Sequence, residues 1–102
     1  MVHNILVIET RETVLFSDWL ESLRDKVART KIQARILRLR LGNPGDVKPV
    51  GEGVSEMRVD FGPGYRIYFI RHGSELIILL AGGDKSSQAK DIRAALKLAR
   101  DL

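Results

Sequence analysis

Two strand-like segments on either side of a Gly-Pro-Gly sequence constrain the fold of this chain more than any other feature. Apolar and polar residues alternate over residues 55–61, which is the pattern of a β-strand with one solvated face. Residues 62–64 predict a tight turn, and residues 65–70 predict the strand that returns from it. The segment therefore predicts an antiparallel β-hairpin.

This hairpin would place several charged side chains on one face of a sheet. If the residues that flank the turn lie opposite each other, Asp60 faces Arg66 and Arg58 faces Tyr68. Two interpretations of that face remain open. One is a structural salt bridge between Asp60 and Arg66, with Tyr68 packed over Arg58. The other is a phosphate site, because a planar guanidinium group binds two phosphate oxygens at once.

The residues before the hairpin predict one strand and two helices. Residues 5–8 form an apolar run rich in β-branched side chains, which indicates a buried strand. From Thr13 the apolar period becomes helical, and Thr10 or Thr13 is the expected cap of this helix. Its apolar face consists of Phe16, Leu20 and Leu23. The apolar face of the second helix consists of Ala28, Ile32, Ile36 and Leu39. Residues 42–44, Gly-Asn-Pro, end the second helix.

The rest of the chain predicts a loop, a further strand and a last helix. Prolines and glycines over residues 43–53 indicate a loop ahead of the hairpin. Residues 75–81 are apolar on both sides, as in a central strand that is covered on both faces. A helix follows residues 82–83, with Asp84, Ser86 or Ser87 as its cap. Its inward face consists of Ile92, Ala95, Leu96 and Ala99.

The order of these elements predicts the fold class. A strand, two helices, three strands and a final helix are typical of an α+β fold in which a small, mostly antiparallel sheet packs on helices. The chain has 102 residues, of which 44% are hydrophobic and 29% charged, and this length fits one core. We therefore expect a single domain over residues 1–102.

Positive charge is concentrated in the middle of the chain. Residues 22–50 contain eight bases and two acids. The bases are Arg24, Lys26, Arg29, Lys31, Arg35, Arg38, Arg40 and Lys48. Such a segment is either a solvated helix face or a contact surface for a polyanion such as nucleic acid.

The composition excludes several classes of protein. The chain has no cysteine, which excludes disulfides, thiolate zinc sites and cysteine nucleophiles and favours the reducing cytoplasm. No apolar run approaches the roughly 20 residues that a membrane span needs. No basic region precedes the apolar run near the N-terminus, so we expect neither export nor membrane insertion.

The sequence GGDKSS at residues 82–87 has the composition of a phosphate loop, because glycines, a lysine and serines precede a helix. It is not a Walker A motif, since no glycine stands four residues before a Gly-Lys pair. A strand-to-helix connection explains it more simply. Lys85 would still lie beside a helix N-terminus, where it could hold a phosphate.

Taken together, these segments resemble the RelE/HigB-type addiction module killer proteins, the phage-derived toxin branch of the RelE/ParE superfamily. The resemblance covers nearly the whole chain. Its most specific parts are GYRIY at residues 64–68, GGDKSSQ at residues 82–88, and NPGD at residues 43–46 with Lys48. Their order and spacing carry the resemblance, since none of them is diagnostic alone.

This resemblance implies a RelE/ParE-like fold and a toxin that cleaves messenger RNA, usually on the ribosome, without metal or other cofactor. The RNA 2′-hydroxyl attacks the neighbouring phosphodiester, and cationic side chains stabilise the charge that develops on the phosphate. The implied catalytic residues are Arg58, Arg66, Lys85 and Tyr68. The expected RNA-binding residues are Lys48, which the resemblance implies as a flanking basic position, and Arg35 and Arg38 of the basic second helix. The chain lacks the histidine or tyrosine that relatives often carry near the C-terminus. The candidates for proton transfer are Tyr68, Lys85, Glu56 and Asp60.

The resemblance also implies partners. A type II toxin is held inactive by a cognate helix-turn-helix antitoxin of the HigA type, contacts messenger RNA and the ribosome, and reaches operator DNA only through the antitoxin. Two alternatives remain: a ParE-like gyrase poison, which needs no pair of arginines on the sheet, and a non-catalytic protein that acts only with its antitoxin on operator DNA.

Overall fold

The computed structural model describes residues 7–102, which form five strands, three α-helices and one 3-10 turn. The strands are β1 (Glu9–Glu12), β2 (Val47–Gly51), β3 (Val54–Val59), β4 (Tyr65–His72) and β5 (Leu76–Asp84). The helices are α1 (Val14–Ser22), α2 (Lys26–Arg40) and α3 (Gln88–Arg100), and the 3-10 turn Lys85–Ser87 leads into α3.

The strands form one mixed sheet in the order β1-β5-β4-β3-β2. Strand β1 pairs with β5 in parallel, and the other neighbouring strands are antiparallel. A five-stranded mixed sheet with three helices is a small α+β fold that is compatible with a RelE-like fold. The predicted fold class is confirmed.

Helices α1 and α2 pack on one face of the sheet. Thr13 caps α1, as expected, because its hydroxyl accepts a hydrogen bond from the Phe16 backbone amide at 3.1 Å. Asp25 caps α2 in the same way. The buried side chains on this face include Phe16, Ala28, Ile32, Leu39, Met57, Val59, Ile67, Phe69, Ile77 and Leu79. This is the larger apolar cluster of the described residues.

Helix α3 packs on the opposite face of the sheet. The buried residues there are Val54, Tyr68, Leu80, Ala81 and Ala95, with Ile92, Leu96 and Ala99 packed against them. The predicted inward face of the last helix is therefore confirmed. Strand β5 continues through the two glycines that were predicted as its end. A side chain on Gly82 would overlap the ring of Trp19, and one on Gly83 would overlap the carboxylate of Asp91. These glycines therefore serve close packing on both faces.

The predicted first strand and the predicted loop are both placed differently in the structure. Residues 5 and 6 lie outside the described residues, and the strand begins at Glu9, after the buried Ile8. Residues 43–53 contain β2, so the prediction of a loop there is wrong. Pro49 is tolerated in β2 because an edge strand pairs on one side only.

The predicted register of the hairpin is wrong by two residues. Arg58 lies opposite Arg66, and Tyr68 lies opposite Glu56, because the turn spans residues 60–64 rather than three residues. Asp60 therefore lies beyond the end of β3 and is not opposite Arg66. A shift of two residues keeps every side chain on its predicted face. That face is not simply solvated, however, because Glu56 and Tyr68 are buried.

Candidate active site

The register of three strands brings four charged side chains together on the α3 face of the sheet. Lys48 on β2 lies opposite Glu56 on β3, and in the next position along the hairpin Arg58 lies opposite Arg66. We call Lys48, Glu56, Arg58 and Arg66 the charge cluster. It contains three cations and one anion, so its formal charge is +2.

Glu56 is the centre of the charge cluster, and its side chain is 0% exposed. One carboxylate oxygen, Oε1, lies 3.8 Å from Lys48 Nζ, 3.6 Å from Arg58 Nε and 3.7 Å from Arg66 Nε. These distances fit ion pairs but exceed hydrogen bonds. Within residues 7–102, Oε1 has no hydrogen-bond partner, and neither do the two arginine Nε atoms.

The other carboxylate oxygen of Glu56 is hydrogen-bonded. The Tyr68 hydroxyl donates to Glu56 Oε2 at 3.0 Å, and Gln88 Nε2 donates to it at 2.9 Å. Burial, and then this hydrogen bond to Glu56, raise the pKa of the Tyr68 hydroxyl well above its usual value. Tyr68 therefore remains a protonated donor at neutral pH, and Gln88 links the cluster to the first turn of α3.

The arginines differ in exposure. The Arg66 side chain is 11% exposed and also donates from Nη1 to the Gly64 carbonyl oxygen at 2.9 Å, whereas Arg58 is 41% exposed. Both line an open cavity of about 360 Å³. The cavity is lined by Asp46, Arg58, Val59, Asp60, Gly64, Tyr65, Arg66 and Lys85. Three cations and two carboxylates therefore line the cavity, so the formal charge of its lining is +1.

Lys85 reaches this cavity from the 3-10 turn after β5. Asp84 caps the turn by accepting a hydrogen bond from the Ser86 backbone amide at 2.8 Å, and hydrogen bonds from Ser86 lower the pKa of the Asp84 carboxyl. The register places Gly83 opposite Arg66, so the turn starts beside the arginines. The structure thus brings Lys85 together with Arg58 and Arg66, while Lys48 contacts Glu56 from β2 and is not among the residues that line the cavity.

Arg35 and Arg38 on α2 lie apart from the charge cluster. Arg35 Nη2 donates to the Pro44 carbonyl oxygen at 2.7 Å, and its guanidinium group packs against Gly45. Burial lowers the pKa of Arg35 from its usual value. Arg38 is exposed. Both line a second cavity of about 330 Å³, which shares Val59 and Asp60 with the first. Arg35 therefore anchors the segment before β2, and Arg38 remains accessible.

The sequence did not indicate that Glu56 is the centre of the site, nor that Gln88 contacts it. One signal was available, since Glu56 and Arg58 are two residues apart in a strand and so share a face. The contacts from β2, β4 and α3 could not be read from the sequence without the register. The interpretation with an Asp60–Arg66 salt bridge is wrong, because Arg66 pairs with Glu56.

Within residues 7–102, no group of three or more His, Cys, Asp or Glu side chains is arranged to hold a metal ion. Of the helices that the structure describes, none is long and apolar enough to cross a membrane.

The fold and the cavity define a small α+β protein that is compatible with a RelE-like fold and has an open cavity lined by Arg58, Arg66 and Lys85. The model of the phage-derived protein Gp49-like family (DUF891) matches residues 18–102, and the chain belongs to this family. The matched residues include the whole charge cluster, Lys85 and Gln88. Membership suggests a toxin-like role and an antitoxin partner.

A comparison with curated proteins finds a relative over nearly the full length of both chains. An uncharacterized protein of Haemophilus influenzae strain Rd is 47% identical over 97 residues, which cover 95% of this chain and 98% of that protein. The relative is therefore similar in length as well as in sequence. Its description names no activity.

Proposed function

We propose that this protein is the toxin of a type II toxin-antitoxin system and acts in the cytoplasm as a metal-independent messenger RNA endonuclease of the RelE/HigB type. In this proposal residues 1–102 are one catalytic domain that cleaves RNA on the ribosome. A HigA-like helix-turn-helix antitoxin holds it inactive and links it to operator DNA. The Gp49-like family membership supports the toxin-like part of the proposal.

The observation that carries the proposed activity is the pair of arginines at the cavity. Arg58 and Arg66 lie directly opposite each other on neighbouring strands, and Lys85 lines the same cavity. When the RNA 2′-hydroxyl loses its proton and attacks the adjacent phosphorus, negative charge grows on the phosphate oxygens. The bond from phosphorus to the 5′-oxygen of the next nucleotide then breaks, and that oxygen takes up a proton, which leaves a 2′,3′-cyclic phosphate and a 5′-hydroxyl end. Cations held in place before the reaction stabilise that charge, and more so where water is partly excluded, as it is at Arg66.

The other site residues have distinct roles in this proposal. Lys85 is exposed and lines the cavity, and in this proposal it contacts the leaving or attacking oxygen or a neighbouring phosphate. Tyr68 is buried and donates to Glu56, so it acts on the reaction by positioning Glu56. Of the four candidates for proton transfer, Lys85 and Asp60 line the cavity, whereas Glu56 and Tyr68 are buried.

RNA outside the cavity would contact the basic surface that the sequence indicates. Arg38 is exposed on α2 beside the second cavity, and Lys48 is half exposed on the edge strand β2. Arg35 is less accessible because it holds the Pro44 carbonyl oxygen, so its part in RNA binding is to fix the backbone beside Lys48. Arg38 and Lys48 thus add accessible cations to those that line the first cavity.

Expression of the chain without its antitoxin in bacteria tests the proposed activity. We expect translation to stop while chromosomal DNA stays intact, and mapping of messenger 5′ ends should reveal new cleavage sites that are absent when an Arg66→Gln variant is expressed. A DNA damage response that precedes the loss of protein synthesis would instead identify a gyrase poison. Unimpaired growth would favour the non-catalytic alternative.

The antitoxin partner is tested by co-purification with the product of the adjacent gene. We expect a tight complex that weakens only partly as salt is raised, because apolar burial contributes to binding along with charge. Failure to recover a stable complex would count against the toxin-antitoxin assignment, whatever the outcome of the RNA mapping.

A further inference from the structure

We infer that Glu56 is a positioning residue that fixes the guanidinium groups of Arg58 and Arg66 beneath the scissile phosphate, at the expense of affinity for RNA. The inference rests on the proposed function, because it concerns the same cavity. It assigns Glu56 no contact with RNA, since its side chain is 0% exposed.

The burial of Glu56 is the first argument. A buried carboxylate is costly to desolvate, and replacing a buried ion pair with apolar residues is often neutral or stabilising. Val54, two residues earlier on the same strand and the same face, is a buried apolar residue. An apolar side chain would thus suit this face of β3 for folding alone. The carboxylate at position 56 needs another reason.

The contacts of Glu56 supply that reason. Its two oxygens contact groups from three strands and one helix: Lys48 on β2, Arg58 on β3, Arg66 and Tyr68 on β4, and Gln88 on α3. Tyr68 and Gln88 hold Oε2 by hydrogen bonds, and they thereby also fix the position of Oε1 in the same carboxylate. A carboxylate held in this way restricts the positions of the three cations that pair with it.

The atoms involved in the ion pairs are the second argument. Both arginines face Oε1 with Nε. This leaves both terminal nitrogens of Arg58 and Nη2 of Arg66 for an anion, since Arg66 Nη1 also donates to the Gly64 carbonyl oxygen. Terminal guanidinium nitrogens are atoms with which arginine binds phosphate or carboxylate oxygens. Like charges directly opposite each other on neighbouring strands repel. Glu56 offsets this repulsion for Arg58 and Arg66, so both can occupy one small region without a bound anion.

The same carboxylate lowers the charge of the cluster from +3 to +2. RNA affinity rises with each cation that meets a phosphate, so Glu56 weakens binding while it improves geometry. Removing the charge should therefore move binding and cleavage in opposite directions. If Glu56 served only folding, its replacement would lower both RNA affinity and cleavage rate. If its only effect were to add negative charge, its replacement would raise both.

The test compares Glu56→Gln with the wild-type full chain. Binding is measured with an RNA oligonucleotide that carries 2′-deoxyribose at the cleavage site, and single-turnover cleavage is measured on programmed ribosomes with the matching all-ribose message. We expect tighter binding, with a salt slope steeper by about 0.7. We expect cleavage to slow by on the order of 10- to 100-fold, as is typical when reacting groups are misplaced.

Glu52→Gln is the matched control, because it removes the same charge from an exposed residue outside the cluster. It should leave binding and cleavage nearly unchanged. Gln88→Ala is the second variant: it keeps the charge of Glu56 but removes one of the hydrogen bonds that hold Oε2. It should slow cleavage less than Glu56→Gln and should not tighten binding. If Glu56→Gln does not fold, this variant still tests the inference.

Two readouts separate positioning from other roles. In the wild type, the Nε–H groups of Arg58 and Arg66 should give resolved NMR signals that exchange slowly with water. In Glu56→Gln, the chemical shifts of both signals should move toward the averaged value of exposed arginines. This experiment needs no cleavage, so it decides on positioning even if the wild type proves inactive on RNA, which would refute only the proposed function. Unchanged Nε signals would overturn the inference. Loss of the acidic limb of the pH–rate profile in Glu56→Gln would also overturn it, because that loss marks a general base.

Discussion

The two faces of the sheet are built by the same strands but use their side chains for different purposes. On β3 and β4, Met57 and Ile67 point to the face covered by α1 and α2, where the larger apolar cluster lies. Their neighbours Glu56 and Arg66 point to the α3 face, where a smaller apolar cluster borders buried and half-buried charges. One hairpin therefore supplies the core on one side and the site on the other.

This difference indicates that stability and activity are separable in a small domain. The α1/α2 face buries hydrocarbon, which favours folding in proportion to the area removed from water. The α3 face contains an anion and cations that folding alone does not require. Substitutions on the α1/α2 face should lower stability with little effect on the activity of the folded molecule. Substitutions in the charge cluster should lower activity with less effect on stability.

The largest expected effect on stability is that of Phe16→Ala. Phe16 is 0% exposed and packs on the α1/α2 face, so truncation leaves a cavity and should lower the free energy of unfolding by about 3 to 5 kcal/mol. Chemical denaturation checks this value. The cleavage rate per folded molecule, measured where the variant is still folded, should stay close to wild type. A large loss of rate in the folded fraction would show that the two faces are coupled.

The next effect is on activity. Arg66→Gln and Arg58→Gln each remove a cation from the cavity and should slow cleavage about a hundredfold or more, which corresponds to about 3 kcal/mol of barrier. Arg66→Gln should be at least as severe, because Arg66 is the more buried of the two. Arg58→Gln should change the melting temperature little, since Glu56 keeps two of its three cations. Arg66→Gln also loses the hydrogen bond to the Gly64 carbonyl oxygen and should melt several degrees lower while it stays folded at the assay temperature.

Lys85→Ala should slow cleavage less than either arginine variant does. Lys85 lines the same cavity but is exposed and does not contact Glu56, so its loss should have a milder effect on cleavage. If both arginine variants remain fully toxic, or lose toxicity only because they unfold, the arginines have a structural role and the proposed activity is wrong.

The faces of the hairpin could be predicted from sequence, whereas its exact pairing could not. Alternation over residues 55–61 determines which side chains share a face, and this assignment survived because the error in register was an even number of residues. The length of the turn depends on the backbone at residues 60–64, where Gly62 and Gly64 have positive φ. Strand β2 was missed because Pro49 and Gly51 are turn residues in most contexts, and only the edge position makes them compatible with a strand.

The candidate site, too, could be predicted from the sequence only in part. Arg58 and Arg66 could be selected because they share a predicted face, and Lys85 because it precedes a predicted helix. The central role of Glu56 could not, because a carboxylate is seldom buried without partners, and its partners come from β2, β4 and α3. Arg35 was grouped with Arg38 by charge alone, but its hydrogen bond to Pro44 depends on a loop that the sequence does not define.

A smaller effect separates these two bases on α2. Arg35→Ala removes a hydrogen bond from a charged donor and should lower the free energy of unfolding by about 1.5 kcal/mol, at the lower end for such bonds because Arg35 is only half buried. Arg38→Ala should leave stability unchanged and weaken RNA binding, with a shallower salt dependence. Denaturation and binding to the 2′-deoxy oligonucleotide check both. If Arg38→Ala leaves RNA affinity intact at low salt, α2 is a solvated face and does not belong to the RNA surface.

The smallest effect tests the polar part of the α3 face through pH. Burial and the hydrogen bond to Glu56 raise the pKa of Tyr68 in the folded state, so above pH of about 10 the unfolded chain loses this proton while the folded chain keeps it. Folding stability that is fully present below that pH should therefore fall as pH rises, by up to about 1.4 kcal/mol per pH unit. Tyr68→Phe lacks the titrating group but retains every other ionisable residue. Its stability should fall less steeply over the same range, as measured by urea denaturation at successive pH values. Equal slopes for the two proteins would mean that the Tyr68 hydroxyl is not held in a buried hydrogen bond. In that case Tyr68 would not fix the position of the Glu56 carboxylate.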